Sequence, residues 1–169
     1  MKKNFWEVVI RIAIAALTAA LTALGTTSCM GYGPFNVPRG IRNNNPLNLR
    51  VGNNWKGEVS QPTDHTFEQF TEMKWGVRAA FIVLRNYIKR HKCNTVRKII
   101  SRWAPQNENN TQAYIATVCQ RANLKADEPI SWDNTCQMIA LLLAMCYVEN
   151  GREISLDDAV EGWLLCGNR

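Results

Sequence analysis

Met138 to Gly151 reads MIALLLAMCYVENG. Its first eleven residues, Met138 to Val148, carry no charge and are apolar on every side of a helix. Such a helix has to be covered by neighbours all round. It is also too short to cross a bilayer, which takes about 20 apolar residues. The stretch therefore predicts the central helix of a helical domain. Gly151 is placed to end it in the left-handed conformation. Met138, Leu142, Met145 and Glu149 fall on one stripe of that helix. Glu149 then lies on a core-facing line at the negative end of the helix dipole. Desolvation and the dipole both favour a neutral carboxylic acid there. A neutral carboxylic acid is what a glycosidase uses to protonate a leaving oxygen. The alternative is a Glu149 just past the helix end, turned to solvent without a role.

The segments around this helix have the pattern of its partners. Trp75 to Arg90 sets Val77, Phe81, Leu84 and Ile88 on one stripe. Asn94 can cap a short helix through Trp103, which Ala104-Pro105 stops. Asn110 or Thr111 can open the next, burying Tyr114, Ile115 and Val118. Ser131 can cap the central helix. Ser155-Leu156-Asp157-Asp158 has capping-box form and opens a last one. The stretch from Gly40 to about Phe70 is rich in Asn, Gly and Pro and lacks a helical period. It reads as loops with a small β-hairpin region, pairing Asn48–Val51 with Thr66–Phe70. The fold class is thus mainly α (α+β).

Asn43-Asn44-Asn45-Pro46 and Asn48 form the most motif-like loop. Clustered amides both donate and accept, as sugar hydroxyls and N-acetyl groups require. Asn also suits tight turns, and Pro46 holds Asn45 extended, so a structural role stands beside the binding one. Asn43, Asn45 and Asn48 are candidate substrate contacts, and Trp55 can stack on a sugar ring or belong to the core. Glu58 and Asp64 are the candidates for a second catalytic carboxylate. His65 and His91 stand alone and no C-x-x-C occurs, so neither a metal site nor a cofactor is expected. Cys119 and Cys146 sit among apolar residues and read as small core fillers.

At the other end of the chain, Lys2, Lys3 and Arg11 precede the uncharged run from Ile12 to Gly25, followed by Thr26-Thr27-Ser28-Cys29. A short apolar run behind basic residues and before small ones reads as a secretory signal. An uncleaved anchor helix from near Phe5 is the alternative. Residues 1–28 are the leader, 29–39 a Gly/Pro-bearing linker and 40–169 the domain, which is expected outside the cytoplasm, held at the cell envelope. The net charge of +6 becomes +4 once Lys2, Lys3, Arg11 and Glu7 go with the leader, leaving 17 basic and 13 acidic residues. That surplus suits cell-wall polymer, an anionic membrane surface or nucleic acid. No basic cluster interleaved with aromatics appears, so nucleic acid is not expected.

Two resemblances add to this. Ser28-Cys29 resembles the end of a bacterial lipoprotein signal, which implies lipidation of Cys29; Thr26 departs from the Leu usual there. The leader also resembles small hydrophobic "smalltalk" peptides that end in Thr-Ser-Cys. The domain's series Arg42-Asn43-Asn44-Asn45-Pro46-Leu47-Asn48-Leu49, Trp55-Lys56-Gly57, Thr66-Phe67-Glu68-Gln69-Phe70 and Trp75-Gly76-Val77-Arg78-Ala79-Ala80 resembles a family of small phage and prophage structural virion proteins. Ile99-Ile100-Ser101-Arg102-Trp103-Ala104-Pro105, Tyr114-Ile115 and Glu149-Asn150-Gly151 continue it over nearly the whole domain. Leu47 departs from the usual Gly. The asparagine stretch is similar to that of flagellar-type glucosaminidases, and Glu149-Asn150-Gly151 to the Glu-Ser-Gly of lytic transglycosylases, both of the lysozyme superfamily. There the Glu helix precedes the asparagine segment, and here it follows.

The resemblance implies a lysozyme-like domain that cuts peptidoglycan glycan strands, with Glu149 as general acid. A substrate hydroxyl, rather than an enzymic nucleophile, completes the transglycosylase reaction. The rival expectations are a non-catalytic phage structural or envelope protein that binds glycan, and a helical protein-interaction module on a lipid anchor.

Overall fold

The computed structural model describes residues 37–105 and 110–167. The leader, Cys29 and most of the linker lie outside the described residues. Six helices appear among the described ones: α1 (Arg39–Arg42), α2 (Met73–Lys89), α3 (Val96–Trp103), α4 (Thr111–Ala122), α5 (Thr135–Asn150) and α6 (Leu156–Gly167). The domain is mainly helical, and no helix among the described residues is long and apolar enough to cross a membrane.

The helix α5 is the one expected from its uniform apolarity. Met138, Leu141, Leu142, Met145 and Cys146 are all fully buried. Each such Leu or Met contributes about 1.5–3 kcal/mol relative to an exposed position. Cover comes from α4, α6 and α1, while α2 packs along α6. Phe81 of α2 meets Trp163 of α6 edge-on at 5.0 Å, and Trp132 stands 4.7 Å from Trp163. Gly151 has φ 67° and its N–H returns to the Tyr147 carbonyl, so the left-handed stop expected there forms. The helix runs through Asn150, which puts Glu149 in its last turn rather than beyond it.

Helix starts differ from expectation in two places. Thr95, not Asn94, caps α3, its Oγ accepting from the Lys98 N–H; the Asn94 carbonyl instead accepts from Ile130. Asn134, not Ser131, caps α5 through the Gln137 N–H. Ser131 lies one turn earlier, where its Oγ accepts from Asp133 and its carbonyl from Asn134. Asn110 caps α4, and Ser155 forms its capping box with Asp158.

Between α1 and α2 the chain is extended and looped. It pairs at two isolated antiparallel bridges, Arg50–Phe67 and Glu58–Phe70, with no strand among the described residues. Backbone bonds run from the Val51 N–H to Thr66 and from the Glu68 N–H to Leu49, and one side chain adds to them. The Asn45 amide donates to the carbonyls of Leu49 and Glu68 and accepts the Leu49 N–H, each within 2.9 Å. Leu49 and Phe70 carry this region onto Ala79 of α2, with Trp55, Trp75, Val83 and Trp103 packed around them.

Candidate functional site

Glu149 reaches the surface half-buried, and three elements converge on its carboxylate. Trp103, the last residue of α3, donates its indole N–H to Oε1 at 2.9 Å. Tyr114, on α4, donates its hydroxyl to the same oxygen, also at 2.9 Å. Asn48, on the asparagine loop, donates its amide to Oε2 at 3.3 Å. Burial and the neighbouring Glu149 charge raise the Tyr114 phenol well above its ordinary range, so it remains a donor. The result is a carboxylate whose rotamer is fixed by side chains from three separate segments, the arrangement a positioned catalytic group requires.

Local sequence explains how Asn48 gets there. Asn44 and Asn48 have φ of 52° and 50°, in the left-handed region that Asn tolerates better than most residues. The Asn48 N–H closes a turn on the Asn45 carbonyl. Asn150, next to Glu149, donates to the Pro46 carbonyl at 2.8 Å and so ties the end of α5 to this turn. Leu47 has no positive φ and its side chain is fully buried, so the residue that departs from the usual Gly serves as core.

The other expected site residues lie elsewhere in the network. Asn45 is fully buried and its amide is spent on the backbone. Asn43 is also buried, donating to Asp64 and accepting from Gln69. Trp55 is half-buried against the Leu49–Phe70 cluster, its indole N–H without a partner among the described residues. Glu58 accepts the Trp55 backbone N–H at 2.5 Å. Asp64 takes a two-bond fork from Arg39, both at 2.6 Å, plus the Asn43 amide and the N–H groups of Thr66 and Phe67. The Arg39 fork holds its carboxyl far below the usual range. Asn48 and Glu149 are brought together; no hydrogen bond links Asn43, Asn45, Trp55, Glu58 or Asp64 to that carboxylate.

Sequence pattern alone assigns Trp103 and Tyr114 to helices and gives neither a role at Glu149. A signal existed, because an indole N–H or phenol O–H carried into a core requires a partner. Beside Tyr114 a surface depression of about 250 Å³ is lined by Asn110, Ala113, Thr117 and Val148 as well. It offers amide and hydroxyl groups over a small apolar floor, adjoining the Glu149 carboxylate through their common neighbour Tyr114. No group of three or more His, Cys, Asp or Glu among the described residues is placed to hold a metal ion.

Comparison with known proteins gives two matches. A family of unknown function, DUF6486, matches residues 1–31. Protein P5 of Pseudoalteromonas phage PM2 is 35% identical over 137 residues, covering 76% of this chain and 84% of that protein.

Proposed function

The chain belongs to the family of Protein P5 of Pseudoalteromonas phage PM2, and for this phage-related domain we propose a lysozyme-like fold that cleaves peptidoglycan glycan strands with Glu149 as general acid. The observation that carries the reading is the Glu149 carboxylate at the end of a buried helix, gripped by Trp103, Tyr114 and Asn48. In the reaction the protonated Glu149 gives its proton to the glycosidic oxygen as the bond from C1 breaks. The three donors stabilise the carboxylate left behind. A hydroxyl of the same sugar then attacks C1 and returns its proton to Glu149. This lytic transglycosylase course needs no second acid, which agrees with Asp64 being committed to Arg39 and Glu58 to the Trp55 backbone.

Zymography on purified peptidoglycan tests it. Wild type should clear and Glu149→Gln should not, since general acid catalysis contributes about 10²–10⁴-fold. The substitution should leave the fold intact. Trp103 and Tyr114 both donate to Oε1, which the Gln carbonyl can replace. The new NH₂ then faces Asn48, whose own carbonyl oxygen has no partner among the described residues and can turn to accept it. Products ending in an anhydro sugar, lighter by one water, would identify the transglycosylase. Parental clearing by folded Glu149→Gln would remove Glu149 from the role.

A second reading keeps the fold and drops the chemistry: a phage structural or envelope protein that binds glycan. It is favoured by the same fork, because a carboxylate bonded to three segments also serves as a structural clamp. No clearing by wild type together with retention on sacculi would select it. In either case we place the domain outside the cytoplasm, tethered by a lipid on Cys29. A fatty-acid analogue should tag wild type and not Cys29→Ala; a mature mass retaining residues 1–28 would make the tether a helix instead.

A further inference from the structure

Apart from the Glu149 site, one face of the domain combines positive charge with exposed apolar side chains. Arg39 and Arg50 both lie over the Phe67 ring, at 4.4 and 5.6 Å from its centre. Arg39 shares with Arg42 and His65 a polar cleft of about 610 Å³, rimmed by Thr63, Thr66 and Gln69. Asp64 is the acid in that cleft, and its charge is taken up by Arg39. Glu68, the next acid in sequence, is buried. Arg42 and Arg50 are exposed and enter no ion pair among the described residues. Among the described residues the exposed large apolar side chains are Val37, Val51 and Leu164. Val37 precedes α1, which carries Arg39 and Arg42. Val51 follows Arg50, and its N–H is bonded to the carbonyl of Thr66 on the cleft rim.

We propose that this face, with Arg42 on the cleft, Arg50 over the Phe67 ring and the exposed Val37 and Val51 near them in the chain, docks the domain onto an anionic membrane surface. Guanidinium groups that keep their charge at the surface pair with lipid phosphates in the headgroup layer. The two exposed valines can enter the boundary between headgroups and acyl chains, which gains by burial of apolar surface. Nucleic acid would be met by charge alone and gives the valines nothing to enter. The chain's own layout agrees with this occupant. Arg39 is the tenth residue after Cys29, so a lipid there would keep the face within about 35 Å of the bilayer even with the chain fully extended.

The test uses the full chain in co-sedimentation with vesicles of phosphatidylglycerol mixed with phosphatidylcholine, against vesicles of phosphatidylcholine alone. The leader acts in every variant alike, so the readout is the excess binding to anionic vesicles. Arg42→Glu with Arg50→Glu should cut that excess at least about twentyfold, since each basic group near such a surface is worth roughly fivefold. High salt should cut it as well. Lys98→Glu with Arg152→Glu makes the same change in net charge on other exposed residues and should retain the excess. Arg39 is left alone because it holds Asp64. If the glutamates disturb folding, Arg42→Gln with Arg50→Gln reads the same effect at smaller size. Equal loss in the Lys98/Arg152 control would reduce the effect to net charge and overturn the proposal. So would an unchanged excess, or a loss confined to binding of sacculi or DNA. Clearing of peptidoglycan should be unaffected by Arg42→Glu with Arg50→Glu, which separates this proposal from the fate of Glu149.

Discussion

Two acids of this domain show how neighbours assign different roles to one functional group. Glu149 is half-buried at the surface, held by an indole, a phenol and an amide that carry no formal charge. Asp64 is buried and bonded to a guanidinium, an amide and two backbone N–H groups. Its depressed titration makes it a stability element. A carboxyl that ionises more readily folded than unfolded supports the fold above the ordinary carboxylate range, and that support is lost as pH falls through and below it. Melting temperatures of wild type should therefore fall faster than those of Asp64→Asn between about pH 5 and pH 3, with the variant the less stable at neutral pH. Parallel curves would mean that the Arg39–Asp64 fork does not hold in solution. Both acids stood out in the sequence as candidates; what their partners are was hidden, because Arg39 precedes Asp64 by 25 residues and Trp103 precedes Glu149 by 46.

Among the elements, the asparagine loop rests on α2 at Gly76. Gly76 lies in the first turns of α2, where Ala would ordinarily gain about 1 kcal/mol of helix propensity. Here a Cβ would fall 1.8 Å from the Asn44 carbonyl oxygen and 3.1 Å from the Phe70 ring. Loop and helix would have to separate, and overpacking of this kind costs about 1–3 kcal/mol, occasionally more. Gly76→Ala should lower the denaturation midpoint and speed hydrogen exchange of residues 43–50 while helical content stays. Unchanged exchange there would show that the loop does not rest on α2. Gly151 offers a contrast: nothing lies near its Cβ position, but φ of 67° makes any other residue strained. The Gly151 stop was legible in the sequence, since a helix end announces itself locally. The close approach at Gly76 was not, since its partner is a backbone oxygen more than thirty residues away.

At the scale of the molecule, the packed helices bury the thiols of Cys146 in α5 and Cys166 in α6. Burial raises the Cys146 thiol to about 11, and Cys166 is likewise raised by burial. Cys93, Cys119, Cys136, Cys146 and Cys166 are all free thiols. Alkylation of the native protein near pH 8 should therefore modify the half-buried Cys93 and Cys136 well before Cys146 and Cys166, as peptide masses would report. Early labelling of Cys146 would mean that the C-terminal turn of α5, and Glu149 with it, opens readily.

The sequence by itself determined the helical class, the buried central helix and its stop at Gly151, because apolar periodicity and capping act over a few residues. It also marked Glu149 and the asparagine loop as the places to look. Only the tertiary structure decided which asparagine meets Glu149. Asn43 turns inward to Asp64 and Gln69 and Asn45 to the backbone of Leu49 and Glu68, leaving Asn48 to reach the carboxylate across 101 residues of chain. Spacing along the chain carries no information on such a meeting: it is fixed by how α3, α4 and the loop pack around the end of α5.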